Sequence, residues 1–200
     1  MPGGSSTQTL DTDTVRRPFR TARRPTRYAA HSGLDRRDER GGYPGAMDGY
    51  GWTSGPSVAA AIAEWLATAP SVRAVVLGGS HATGSTDAGS EIDLYVYSDE
   101  EPSLGLRRDL ARALGRPAWV GCKAFGPGDE WPGHENHAAV DLMYWTPAWI
   151  EEQLARVLDR HEASVGYSTC FWHTIRTSVP LVDRDGWFGR LQARASLYLS

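Results

Sequence analysis

The residues able to do chemistry concentrate between Val75 and Tyr97. A short apolar run ends in Gly78-Gly79-Ser80, ten small or polar residues follow, and a second apolar run opens with Glu91-Ile92-Asp93-Leu94. Side chains alternate along a strand, so Glu91 and Asp93 share one face and Ile92 takes the other. Two carboxylates so close repel each other unless a cation lies between them. Carboxylate oxygens are hard donors suited to Mg²⁺, which keeps several waters and binds through a few carboxylates plus phosphate oxygens. The glycine turn complements them. Gly78 and Gly79 carry no Cβ, so their backbone N–H groups can approach an anion closely, and Ser80 adds a hydroxyl donor. The stretch reads as a phosphate cradle leading into a divalent-metal site.

Other residues are weighed against that pair. Asp141 stands in Val140-Asp141-Leu142-Met143, and an acid flanked by apolar strand residues is rarely buried unpaired. Lys123, the only lysine, is a candidate to neutralise phosphate charge, although a surface lysine explains it equally well. Asp129-Glu130-Trp131 precedes the Asp141 segment and is a candidate border of an acceptor pocket. His81, inside the spacer, reads as a solvated loop residue. His134 and His137 lack the companions of a zinc site. No Gly-x-x-x-x-Gly-Lys-Ser/Thr occurs, which excludes a P-loop.

Gly79-Ser80, a ten-residue spacer and Glu91-Ile92-Asp93-Leu94 resemble the signature of the nucleotidyltransferase superfamily that includes DNA polymerase beta. The small members of that superfamily include the minimal nucleotidyltransferases of antitoxin systems and the aminoglycoside nucleotidyltransferases. The resemblance covers about Ser71 to Trp145 and implies that Asp141 is the third carboxylate, on a later strand. It further implies that Glu91, Asp93 and Asp141 hold Mg²⁺ or Mn²⁺, and that Gly78, Gly79 and Ser80 cradle the phosphates of an NTP, ATP by preference. Asp141 would ligate the metal that activates the acceptor hydroxyl and take its proton. Two metals about 3.5–4 Å apart can clamp the attacking and leaving oxygens of such a displacement. The implied activity is transfer of a nucleoside monophosphate to a hydroxyl on a small molecule or protein, with release of pyrophosphate. A non-catalytic nucleotide- or partner-binding module of the same fold is the alternative. The first acid departs from the signature: Glu91 stands where aspartate is usual, and the extra methylene moves its carboxylate by about 1.5 Å, a shift that either weakens the metal site or favours Mn²⁺ over the stricter Mg²⁺.

The elements that must position these groups begin near Pro56. Residues 1–54 are rich in Gly, Pro, Ser, Thr and Arg with no apolar period, and read as a disordered tail. Residues 55–146 read as the nucleotidyltransferase core and 147–200 as a short helical C-terminal segment. Ser57 to Thr68 has helical periodicity, with Val58, Ile62, Trp65 and Leu66 on one face. Val72–Leu77 and Ile92–Tyr97 read as strands. A helix from Pro102-Ser103 to Leu114 places Leu104, Leu106, Leu110 and Leu114 in phase. Ala118–Phe125 and His137–Trp145 are further strands, separated by a Gly/Pro/Trp loop from Gly126 to His134. Thr146-Pro147 opens a long helix to about His161, Ala163–Thr177 another, and Trp187–Ala195 a last one, with Val179–Val182 extended between them. The expected fold class is α+β, a small mixed sheet with flanking helices.

Composition narrows the partners. A formal charge of -3 over 200 residues makes long nucleic acid the least favoured acceptor. No apolar run is long enough to span a bilayer. Two cysteines without a CxxC spacing argue against a zinc ribbon or disulfide framework and suit a cytoplasmic protein.

Overall fold

The computed structural model describes residues 55–123, 126–133, 137–162 and 169–199. The expected tail over residues 1–54 and His134 lie outside them. Six strands form one mixed sheet in the order β3-β4-β5-β2-β1-β6, with β1 Val72–Leu77, β2 Ile92–Ser98, β3 Trp119–Cys122, β4 Gly128–Trp131, β5 Val140–Trp145 and β6 Val179–Asp183. The central pair β2 and β5 is parallel, and every other pairing is antiparallel. This is the expected α+β class with a mixed sheet and flanking helices.

Period-two alternation gives the sheet two different faces. One carries Val75, Leu77, Leu94, Val96, Val140 and Leu142, packed with Ile62 and Leu66 of α1 (Gly55–Leu66) and Leu110 of α3 (Leu104–Ala113). The other carries Ala74, Val76 and Tyr97, packed with Ile150 and Leu154 of α4 (Pro147–Leu158), Ile175 of α5 (Cys170–Thr177) and Phe188 and Leu191 of α6 (Trp187–Ser196). Asp93 and Asp141 belong to this second face, near the start of β2 and β5.

Local signals explain most helix starts. Ser103 Oγ accepts from Leu106 N at 3.2 Å, and Thr146 Oγ1 accepts from Trp149 N at 3.2 Å with Pro147 in the first turn. Both carboxylate oxygens of Asp183 accept backbone N–H groups of α6, from Phe188 at 2.8 Å and Gly189 at 2.9 Å.

Three expectations change. The start of the spacer is a five-residue helix, α2 (Gly79–Thr83), closed by Gly84 in the left-handed region at φ 72°. The segment read as a loop from Gly126 contains β4, because pairing with β5 stabilises a Gly-Asp-Glu-Trp strand that local propensity does not. Val179–Val182 is extended as expected and lies within β6, hydrogen-bonded along the edge of β1. The core face of α3 carries Arg107 with Leu110, while Leu104 is exposed, since a buried partner holds the arginine. Of the helix expected over 163–177, residues 170–177 form α5, and 163–168 lie outside the described residues.

Candidate functional site

The sheet register assembles the acids. Asp93 on β2 is the in-register partner of Asp141 on β5, and Asp141 is the partner of Glu130 on β4. Register partners on adjacent strands point to one face, so three carboxylates form a row across the sheet. All three line one cleft, together with Tyr95, Cys122, Gly128 and Met143. Asp93, Asp141 and Glu130 are each half-buried. Glu91 is exposed, one residue before β2 begins, yet close enough that its charge acts on Asp93. Burial first, and Glu91 second, hold the Asp93 carboxyl above its usual range, with His81 pulling the other way.

The glycine turn is fitted to this row. Gly78 is buried at the end of β1, and its N–H donates to the Asp93 carbonyl at 2.9 Å. A Cβ on Gly78 would stand 2.3 Å from the Tyr95 ring, and one on Gly79 would stand 1.9 Å from Asp93 Oδ2. Gly79 also has φ +59°, a conformation costing an L-residue about 1–2 kcal/mol. Both glycines are therefore required by close approach. Ser80 and His81 occupy the first turn of α2, both half-buried. His81 is not the solvated loop residue expected, because α2 packs against β2. The chain returns from α2 to Glu91 through an Asx turn in which Asp87 Oδ1 accepts from Gly89 N at 2.9 Å and from Ser90 Oγ at 3.0 Å.

Gly79→Ala is expected to lower stability by more than Gly84→Ala. Gly84 has φ +72° with nothing within 4 Å of a built Cβ, so its substitution reports the backbone cost alone. The excess in urea-unfolding free energy at Gly79 measures the collision with Asp93, and equal losses at the two sites would refute that contact.

The sequence reading of Asp129-Glu130-Trp131 divides. Glu130 borders the cleft, whereas Asp129 and Trp131 are fully buried on the opposite face. Asp129 Oδ2 accepts from Arg107 Nε at 2.8 Å and from the Tyr144 hydroxyl at 2.8 Å, and its Oδ1 accepts from Gly121 N at 2.8 Å. Arg107 further donates to the Gly128 carbonyl at 3.0 Å, bridges to Glu101, and lies over the Tyr144 ring at 4.4 Å. Desolvation alone would lower the arginine's pKa, but Asp129 and the neighbouring charges more than offset it, and the net shift is upward. This network fixes β4, and with it the side to which Glu130 points. Its sequence signal was the alternation Gly128-Asp129-Glu130-Trp131 together with Arg107 one helical turn before Leu110.

Tyr95 lines the cleft and is backed by an aromatic cluster that reaches α5. Tyr95 stacks on Trp145 with ring centroids 5.0 Å apart and planes at 12°, and Phe171 meets Trp145 edge-on at 5.3 Å. Burial and the nearby Asp93 charge push the Tyr95 hydroxyl up to about 12, so it remains a neutral donor. Lys123 is exposed just past β3 and is not among the residues lining the cleft. Among the described residues no three carboxylate, imidazole or thiol groups close on a single point by themselves, and no helix is long and apolar enough to cross a membrane.

Residues 60–126 match the family model of the nucleotidyltransferase domain. The matched span carries Gly78, Gly79, Ser80, Glu91, Asp93 and Lys123 and ends before β4 and β5. The match and the mixed-sheet architecture bear out the resemblance to that superfamily. Among solved structures, a toxin–antitoxin with AMP-PNP is similar at 18% identity, covering 69% of this chain and 84% of that chain with a TM-score of 0.36. A mutant of the toxin–antitoxin pair MntA–HpeT is similar at 18% identity, covering 70% of this chain and 84% of that chain with a TM-score of 0.35. No curated protein matches the chain.

Proposed function

We propose that this chain, whose residues 60–126 carry a nucleotidyltransferase domain, transfers a nucleoside monophosphate from an NTP, with ATP the first candidate, to a hydroxyl of a small molecule or protein. The observation that carries this reading is the parallel register that sets Asp93 beside Asp141 under the Gly79 turn. Their donor set fits a hard divalent cation. Two oxygen-donor side chains stand side by side, and Mg²⁺ needs only one or two carboxylates when phosphate oxygens complete its shell. Asp93 and Asp141 would hold the ion, with Glu91 reaching in from the strand start. Mg²⁺ or Mn²⁺, when bound, supplies positive charge against the charge developing on the transferred phosphoryl group.

The chain's own residues do the positioning. The Gly79 turn lets backbone N–H groups come close to phosphate oxygens, and Ser80 adds a hydroxyl donor; the Gly78 N–H, expected to share this task, is taken by the Asp93 carbonyl, so Gly78 shapes the turn instead. Tyr95 forms part of the cleft lining, held by the aromatic side chains packed behind it. Lys123, exposed past β3 on the far side of the sheet from the glycine turn and outside the cleft lining, has no part in this arrangement. In-line attack then needs little more than orientation and charge stabilisation.

Purified protein given α-labelled ATP and a panel of hydroxyl acceptors, including partner proteins, is expected to transfer label and release pyrophosphate. The longer arm of Glu91 predicts faster turnover with Mn²⁺ than with Mg²⁺, and Glu91→Asp should narrow that ratio. Bound but intact nucleotide across the panel, for wild type and Glu91→Asp alike, would leave a nucleotide-binding module instead.

A further inference from the structure

We infer that Glu130 is the residue that receives the attacking hydroxyl of the acceptor. The inference rests on the nucleotidyl-transfer reading above and assigns a role to a side chain outside the family match. Across the sheet, the order is the Gly79 turn beside β2, then Asp93 on β2, Asp141 on β5, Glu130 on β4 and Cys122 on β3. Attacking and leaving oxygens stand on opposite sides of a phosphorus undergoing in-line displacement. With the phosphate tail at the glycine turn, the leaving oxygen lies toward β1 and α2, so the acceptor oxygen enters from the β5 and β4 side. Glu130 is the acid on that side.

Three features fit it to this task. It lines the cleft with Asp93 and Asp141. Its Oε1 accepts a hydrogen bond from the Cys122 thiol at 3.4 Å, a weak donor that orients the carboxylate without neutralising it. Among the described residues it forms no ion pair, in contrast to its neighbour Asp129. The burial of Asp129 against Arg107 on the other face leaves Glu130 only the cleft side of β4. In the reaction, the acceptor O–H donates to the Glu130 carboxylate, which aims the oxygen lone pair at the α-phosphorus. The new O–P bond forms as the bridging P–O bond between α- and β-phosphates breaks. Pyrophosphate leaves with that electron pair, and the hydroxyl proton departs along the hydrogen bond to solvent.

The test compares wild type, Glu130→Ala, Glu130→Gln and Asp93→Asn as the full chain. The binding probe is Mn²⁺ with an ATP analogue carrying a methylene between the α- and β-phosphates. The turnover probe is pyrophosphate release from ATP with water, and then glycerol, as the hydroxyl source. Glu130→Ala is expected to keep analogue binding and to lose turnover by about a hundredfold, the scale of a misplaced reactant. Added formate should restore part of that loss in Glu130→Ala and none in Asp93→Asn. If Glu130→Ala fails to fold, the volume-conserving Glu130→Gln carries the same comparison. Wild-type turnover in the Glu130 variants overturns the inference and leaves the transfer reading standing. So does loss of analogue binding together with turnover, since Glu130 would then serve the nucleotide. A wild-type protein that neither binds the analogue nor releases pyrophosphate overturns the transfer reading itself, and this inference with it.

Discussion

Asp93→Asn is expected to reduce pyrophosphate release by about a thousandfold or more while leaving the metal-free protein at least as stable as wild type. The rate loss follows from removing one of two adjacent carboxylates that would hold the divalent ion. Such an ion supplies several kcal/mol of transition-state stabilisation, and about 4 kcal/mol corresponds to about a thousandfold. The stability expectation follows from the direction of the Asp93 shift. Burial, then Glu91, raises its folded-state pKa, so the folded chain favours the protonated acid. Such a group adds stability that is fully present below its unfolded value of about 3.9 and is lost as pH rises through the higher folded value. At neutral pH the ionised Asp93 is therefore a burden on the metal-free fold, and asparagine removes it. Urea unfolding with chelator should show the variant's advantage at neutral pH and its disappearance toward pH 3. An unchanged rate, or a large stability loss at neutral pH, would reject the role given to Asp93.

The largest stability effect is expected at Asp129, on the reverse of the same strand. Asp129→Ala leaves a fully buried guanidinium without its buried counter-ion, with only half-exposed Glu101 and the Gly128 carbonyl remaining, and removes the acceptor used by Arg107, Tyr144 and Gly121 N. Breaking a buried pair by deleting one partner costs about 3–5 kcal/mol, a large part of the 5–15 kcal/mol typical of a whole domain. Replacing both partners by apolar residues, Arg107→Met with Asp129→Leu, should recover much of the loss, because no uncompensated charge then remains. Denaturant titration of the two single variants and the double variant gives the coupling directly. Additive losses would mean that the pair does not act as a unit. Since Glu130 adjoins Asp129, the single variant should also disturb the cleft, which separates its effect from that of a surface charge.

The two expected effects lie on opposite faces of one sheet, and they differ in how far the chain's local pattern foretells them. Glu91-Ile92-Asp93-Leu94 after a glycine turn and a ten-residue spacer is a local arrangement. Period-two alternation turns Asp93 away from Ile92 and Leu94, whereas Glu91 stands exposed before β2 and outside the cleft lining, and Gly79 is favoured by its φ of +59° and by the Asp93 carboxylate that a Cβ would meet. Alternation likewise marks Val140, Leu142 and Tyr144 as core and Asp141 as facing away from it. Caps at Ser103 and Thr146 are also local, since each side chain bonds a backbone N–H three residues on.

What the chain order does not contain is pairing across long separations. Whether Asp141 meets Asp93 depends on the parallel register of β2 with β5, which is set by apolar packing on the reverse face. The strand β4 has weak propensity of its own and exists because β5 and the buried Arg107–Asp129 pair hold it. Leu104 lies about 120° round the helix from Leu110 and is exposed, while Arg107, one turn before Leu110, is buried by its pairing with Asp129. Sequence by itself determined the glycine turn, the strand carrying Asp93 after it and the α+β class, because these follow from residue types at short spacing. Only the tertiary structure decided which acids share the cleft, since register and the burial of one ion pair turn Glu130 toward Asp141 and Asp129 away from it.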